Sequence, residues 1–102
     1  MTTVAIDWDH TLVEDGDWLP GAERALLGLR RHGYRLAIHS SRALHPEGKV
    51  QIAGKLGTLG FREGEVEIMA KPNAIVYIDD RGYRFAGDWA AALRHIRTLE
   101  GR

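Results

Sequence analysis

Thr2-Thr3-Val4-Ala5-Ile6-Asp7-Trp8-Asp9-His10-Thr11 is the stretch whose reading decides the fold. Residues 2–6 are rich in β-branched side chains, the pattern of a buried strand. Asp7 and Asp9 then sit two residues apart where that strand reaches its C-terminal end. Open α/β sheets bind ligands along that edge. On a strand continuing through them, the two carboxylates would point the same way. Two unpaired carboxylates in one small space repel, so the arrangement calls for a cation, normally Mg²⁺ with oxygen ligands. The alternative is an Asp-rich turn that merely ends a strand.

Working outward, residues 12–19 carry Glu14, Asp15, Gly16 and Asp17 and read as a hairpin or flap beside the strand end, with Trp18 and Leu19 as its anchors. Pro20 suits the first turn of a helix. Ala22, Ala25, Leu26 and Leu29 follow at helical spacing, Arg30, Arg31 and His32 favour its last turn, and Gly33 closes it. Residues 34–39 form a second strand, ending in Ser40-Ser41-Arg42. Strand, helix and strand make a βαβ unit, so the two strands are expected to be parallel. Ser40 then lies at the same edge as Asp7, as a site residue or as an ordinary turn or cap serine. Arg42 faces either a phosphate or solvent, with solvent the expectation.

A second helix is predicted from about Pro46 to Leu59, with Val50, Ile52, Ala53 and Leu56 on or near its buried side. Residues 65–69 alternate and read as a short third strand. The apolar run 74–78 predicts a fourth, closed by Asp79-Asp80-Arg81-Gly82. Only Ala70-Lys71-Pro72-Asn73 joins these two, too short for a helical crossover. Two adjacent acids closing a buried strand are costly unless cations pair with them. Asp88 is placed to cap a final helix whose apolar face holds Trp89, Ala92, Leu93, Ile96 and Leu99.

The bulk properties set bounds on function. At 102 residues, 1–102 reads as one domain with a single modest core. Fourteen basic residues balance fourteen acidic ones, so no overall field calls for nucleic acid or membrane. Cysteine is absent, which excludes disulfides, thiolate metal sites and a cysteine nucleophile. With no signal-like or long apolar run, a cytoplasmic location is the expectation.

Taken together, Asp7-Trp8-Asp9-His10-Thr11, Ser40, Lys71 and Asp79-Asp80 resemble the haloacid dehalogenase superfamily. Its phosphatases carry Asp-x-Asp-x-Thr, a strand-end Ser or Thr, a Lys and a closing acidic pair. The resemblance covers nearly the whole chain, and Lys71-Pro72 before Ile78-Asp79-Asp80-Arg81 is similar to a small subset of that superfamily. It implies a three-layer, Rossmann-like α/β fold with a mainly parallel sheet, its four main strands ordered 3-2-1-4 by position in the chain. Residues 10–39 and 41–70 leave no room for a cap domain, so the implied form is capless. His10 departs from the pattern, which has Gly after the second Asp. A side chain there would narrow the mouth of the site, join proton transfer or face solvent, and solvent is the expectation.

The resemblance also implies roles. Asp7 would be the nucleophile of a Mg²⁺-dependent phosphatase, forming an aspartyl-phosphate. Asp9 would protonate the leaving oxygen, then activate water, with its backbone carbonyl on the metal. Ser40 would bind a phosphoryl oxygen, and Lys71 would offset charge at Asp7 and the transferring group. Asp79 and Asp80 would complete the metal site, with Asp80 preferred as the direct ligand. An uncapped site suits a phosphate on a large molecule, such as a polynucleotide end or a phosphoprotein, or a small ester enclosed by a partner subunit. Two other classes compete: a phosphoacceptor receiver domain, whose acidic pair comes early rather than late, and an inactive HAD-like binding or regulatory module.

Overall fold

The computed structural model describes residues 2–72, 74, 76–77 and 79–100. The first strand, β1 (Thr3–Asp7), pairs in parallel with β4 (Arg35–Ser40), and β4 pairs in parallel with β5 (Glu67–Ala70). The sheet order is therefore β1-β4-β5. Val4 and Ile6 lie opposite Leu36 and Ile38, and Ile38 lies opposite Ile68. These residues share one face of the pleat, and α1 (Ala22–Arg31) and α2 (Pro46–Gly57) cover it.

Each helix lies where its pattern predicts, with local corrections. Helix α1 buries Ala22, Ala25, Leu26 and Leu29. It ends at His32 and Gly33, whose φ of 87° gives the left-handed turn that glycine tolerates best. Helix α2 buries Gly48, Ile52 and Leu56, whereas Val50, at 71% exposure, and Ala53 face outward. In α3 (Trp89–Glu100), Ala91 N–H donates to the Asp88 carboxylate at 3.1 Å, the expected cap. Trp89 is buried, stacks at a tilt on Phe85 and seats α3 beside Gly21, just ahead of α1.

The hairpin predicted after Thr11 is present as β2 (Val13–Glu14) and β3 (Asp17–Trp18), paired antiparallel. Trp18 meets the buried Trp8 edge-on at 5.6 Å, and the Lys55 ammonium lies 5.2 Å from the centre of the Trp18 ring, so this aromatic is a packing anchor. At the opposite end of the sheet, Arg30 joins α1 to the turn before β5 through Glu65, at 2.7 Å. The Arg62 backbone N–H, ahead of the Arg30 charge, holds the Glu65 carboxyl below its ordinary range.

Two expectations about the sheet differ from the structure. The fourth strand over 74–78 falls partly outside the described residues, and Ala74, Val76 and Tyr77 belong to no strand and are exposed. Backbone pairing, not apolar content alone, makes a strand, and these three have no ladder partner. The expected third layer is not seen among the described residues. On the other face Thr3, Ala5, Arg35, Glu67 and Met69 are exposed, though Ala37 of the central strand is buried, and α3 packs against α1. Among the described residues, no helix is long and apolar enough to cross a membrane.

Candidate active site

The parallel register brings three strand ends to one edge. Asp7 lies opposite His39, Ser40 lies opposite Ala70, and the Lys71 N–H donates to the Ser40 carbonyl at 3.2 Å. The chain does not run on as a strand through Asp9, as parallel orientation of the two acids would need. The Trp8 carbonyl accepts from the N–H groups of Thr11, Leu12 and Val13, at 3.4, 2.9 and 3.1 Å, and turns the chain sharply. Trp89 Nε1–H donates to the Thr11 carbonyl at 3.0 Å and pins that turn to α3. Leu12, fully buried, anchors it from below.

This turn gives the two aspartates different surroundings. The Asp7 side chain keeps 40% exposure; its Oδ2 accepts from the Thr11 hydroxyl at 3.4 Å, and the Lys71 Nζ stands 4.0 Å from its Oδ1. The same ammonium lies 4.1 Å from the centre of the Tyr77 ring. Asp9 instead accepts from Arg42 Nε at 2.7 Å through Oδ2. That hydrogen bond, with the carboxylate's charge second, raises the Arg42 guanidinium above its ordinary value.

Ser40 is 2% exposed, and its Oγ accepts from the Arg42 N–H at 3.2 Å, capping the 3-10 turn Ser41–Leu44. The ordinary cap role foreseen for this serine is therefore filled. Arg42 was expected to face solvent; it pairs with Asp9 and is half exposed. Thr11 belongs to the opening motif, yet its contact with Asp7 depends on the turn at Trp8, which no spacing rule supplies.

Of the closing acids, Asp79 accepts from the Arg81 N–H at 2.7 Å and Asp80 is exposed. Among the described residues, no group of three or more His, Asp or Glu side chains stands close enough to hold a metal ion. The donor chemistry nonetheless fits Mg²⁺, which keeps several waters and takes one or two carboxylates together with a substrate phosphate. Asp7 is an accessible carboxylate of that kind, with its nearest cation beyond hydrogen-bond length.

His10 is 78% exposed on its side chain and 3.4 Å from Glu14, so the ring faces solvent as expected. Its φ is 62°, the left-handed conformation, stabilised by its N–H donating to the Val13 carbonyl at 2.7 Å. Compared with protein-family models, curated proteins and solved structures, the chain matches none.

An exposed His–Glu pair adds little stability, while the left-handed backbone penalises any residue with a Cβ. His10→Gly is therefore expected to raise stability by about 0.5 kcal/mol, since relieved strain exceeds the added freedom of the unfolded chain. His10→Val, β-branched at positive φ, is expected to lose about 1 kcal/mol or more. Urea titration of the three proteins checks both, and a glycine variant less stable than the parent would contradict the strain argument.

Proposed function

We propose that this chain is a capless phosphatase of the haloacid dehalogenase type, hydrolysing phosphomonoesters through an aspartyl-phosphate on Asp7. One observation supports this most: the accessible Asp7 carboxylate at a parallel-strand end with the Lys71 ammonium 4.0 Å away. A nucleophile must be reachable, and a nearby fixed cation offsets the charge that builds as phosphorus is attacked.

In this reading an Asp7 oxygen bonds to phosphorus as the ester P–O bond breaks, and the leaving oxygen takes the Asp9 proton. Water then attacks the phosphorus of the aspartyl-phosphate, giving its proton to Asp9, and Asp7 is regenerated with release of inorganic phosphate. Lys71 compensates charge at Asp7 throughout, and Thr11 orients its second oxygen. Ser40 would donate its hydroxyl proton to a phosphoryl oxygen while keeping its cap bond. Mg²⁺, when bound, offsets repulsion between the phosphate and the carboxylates; Asp7, the Asp9 carbonyl, Asp79 and Asp80 would hold it.

The finer topology belongs to the same proposal. Residues 74–78 would lie along the outer edge of β1, completing the order 3-2-1-4 and carrying Asp79 and Asp80 towards Asp7. Two features support it: β5, β4 and β1 already stand in the first three places, and β1 has a strand partner on its β4 side alone among the described residues. Burying Val76, at 63% exposure, would add roughly 1.5 kcal/mol or more. With no cap to enclose a small ester, the substrate would be a phosphate borne by a large molecule, a polynucleotide end or phosphoprotein, or a small ester closed in by a partner subunit.

Turnover of an aryl phosphate is expected to need Mg²⁺, to stop in excess chelator and to vanish in Asp7→Asn. Steady activity in chelator, or an active Asp7→Asn protein, would overturn the mechanism. Amide deuterium exchange tests the topology separately: with Mg²⁺ and phosphate present, residues 74–78 are expected to exchange as slowly as β1. Exchange within seconds across 74–78 would contradict a fourth strand.

A further inference from the structure

We propose that Arg42 is a positioning residue for Asp9, holding one carboxylate oxygen so that the other is presented to the reacting ester; this rests on the phosphatase reading above. The pair joins two loops thirty-three residues apart in the chain, at 2.7 Å, between Arg42 Nε and Asp9 Oδ2. Among the described residues, Asp9 Oδ1 has no hydrogen-bond partner, so one oxygen is fixed and the other left free. Acid–base catalysis needs that division, because a carboxylate free to rotate spends little time in reach of the proton it transfers.

The arginine's own backbone is held unusually firmly. Its N–H donates to the buried Ser40 Oγ, and its carbonyl accepts from His45 N–H at 3.2 Å. Gly48, in the first turns of α2, packs directly on that carbonyl and leaves no space for a Cβ. The Asp9 side is fixed in turn by the three N–H groups gathered on the Trp8 carbonyl. Both side chains remain substantially exposed, 50% for Arg42 and 34% for Asp9. Exposed ion pairs contribute little to stability. The value of this one therefore lies in orientation. Arg42 Nη1 and Nη2 make no hydrogen bond among the described residues, so a competing role as a direct phosphate ligand predicts a different kinetic signature.

The test uses the full chain with Mg²⁺ and an aryl phosphate, comparing Arg42→Lys and Arg42→Gln in the parent and in Asp9→Asn. Arg42→Gln is expected to lower kcat about 10- to 100-fold with KM nearly unchanged. Arg42→Lys should recover part of that loss. In Asp9→Asn, adding Arg42→Gln should change kcat less than twofold, because the group it positions is gone. A kcat within twofold of the parent, a raised kcat, or a loss that appears in KM and persists in Asp9→Asn would each overturn the proposal. The pairing is read without activity from the ¹⁵N–¹H resonance of Arg42 Nε, expected to shift in Asp9→Asn. No shift overturns the proposal even in an active enzyme. An inactive parent whose resonance does shift supports the holding of Asp9 and overturns the phosphatase reading alone.

Discussion

Parallel pairing of Ile6 with Ile38, and of Ile38 with Ile68, is the constraint on which the rest of the molecule depends. Those pairs fix the register, and a shift of one residue would turn every side chain to the other face. With the register fixed, Asp7, Ser40 and Lys71 arrive at one edge. The helices follow from the same pairing, since the apolar face it creates must be covered by Leu26, Leu29, Ile52 and Leu56. The packing thus uses positions within the strands, and the candidate chemistry uses their C-terminal ends.

Within that frame, the turn at Trp8 divides the work of the two aspartates. One carbonyl accepting three N–H groups takes the chain out of the sheet immediately after Asp7. Asp7 stays beside a lysine, while Asp9 swings to an arginine on the neighbouring loop. Separate cations for two acids in one small region relieve the repulsion that their spacing alone would create. His10 bears the cost, as a residue with a Cβ in a left-handed position.

Much of this was legible in the residues. The β-branched run before Asp7, the helical spacing of Ala22 to Leu29, Gly33 as a stop and Asp88 as a cap are local signals, and each matches the structure, although only Ile6 of the first strand is buried. The hairpin was legible from its turn residues, and Lys71 at the site from its motif. Non-local facts were not. No spacing rule places Arg42 on Asp9, because that contact depends on the parallel register and on a turn set by one backbone carbonyl. Val50 misled because helix α2 buries only a narrow stripe through Ile52 and Leu56. Ala74, Val76 and Tyr77 have the composition of a strand, but composition does not supply a ladder partner, and these three have none among the described residues.

Whether Asp7 is the atom donor to phosphorus can be read directly. Asp9→Asn keeps that carboxylate while slowing hydrolysis of any phosphoenzyme, so the intermediate should accumulate from an aryl phosphate with a good leaving group. The measurement is peptide mass spectrometry after rapid acid quench of this variant with Mg²⁺ and substrate. The expected result is a phosphoryl group on Asp7, absent when Asp7 is also replaced by Asn. A phosphoryl group on Ser40 or elsewhere, or turnover by the variant with no phosphorylated peptide at any time, would contradict it.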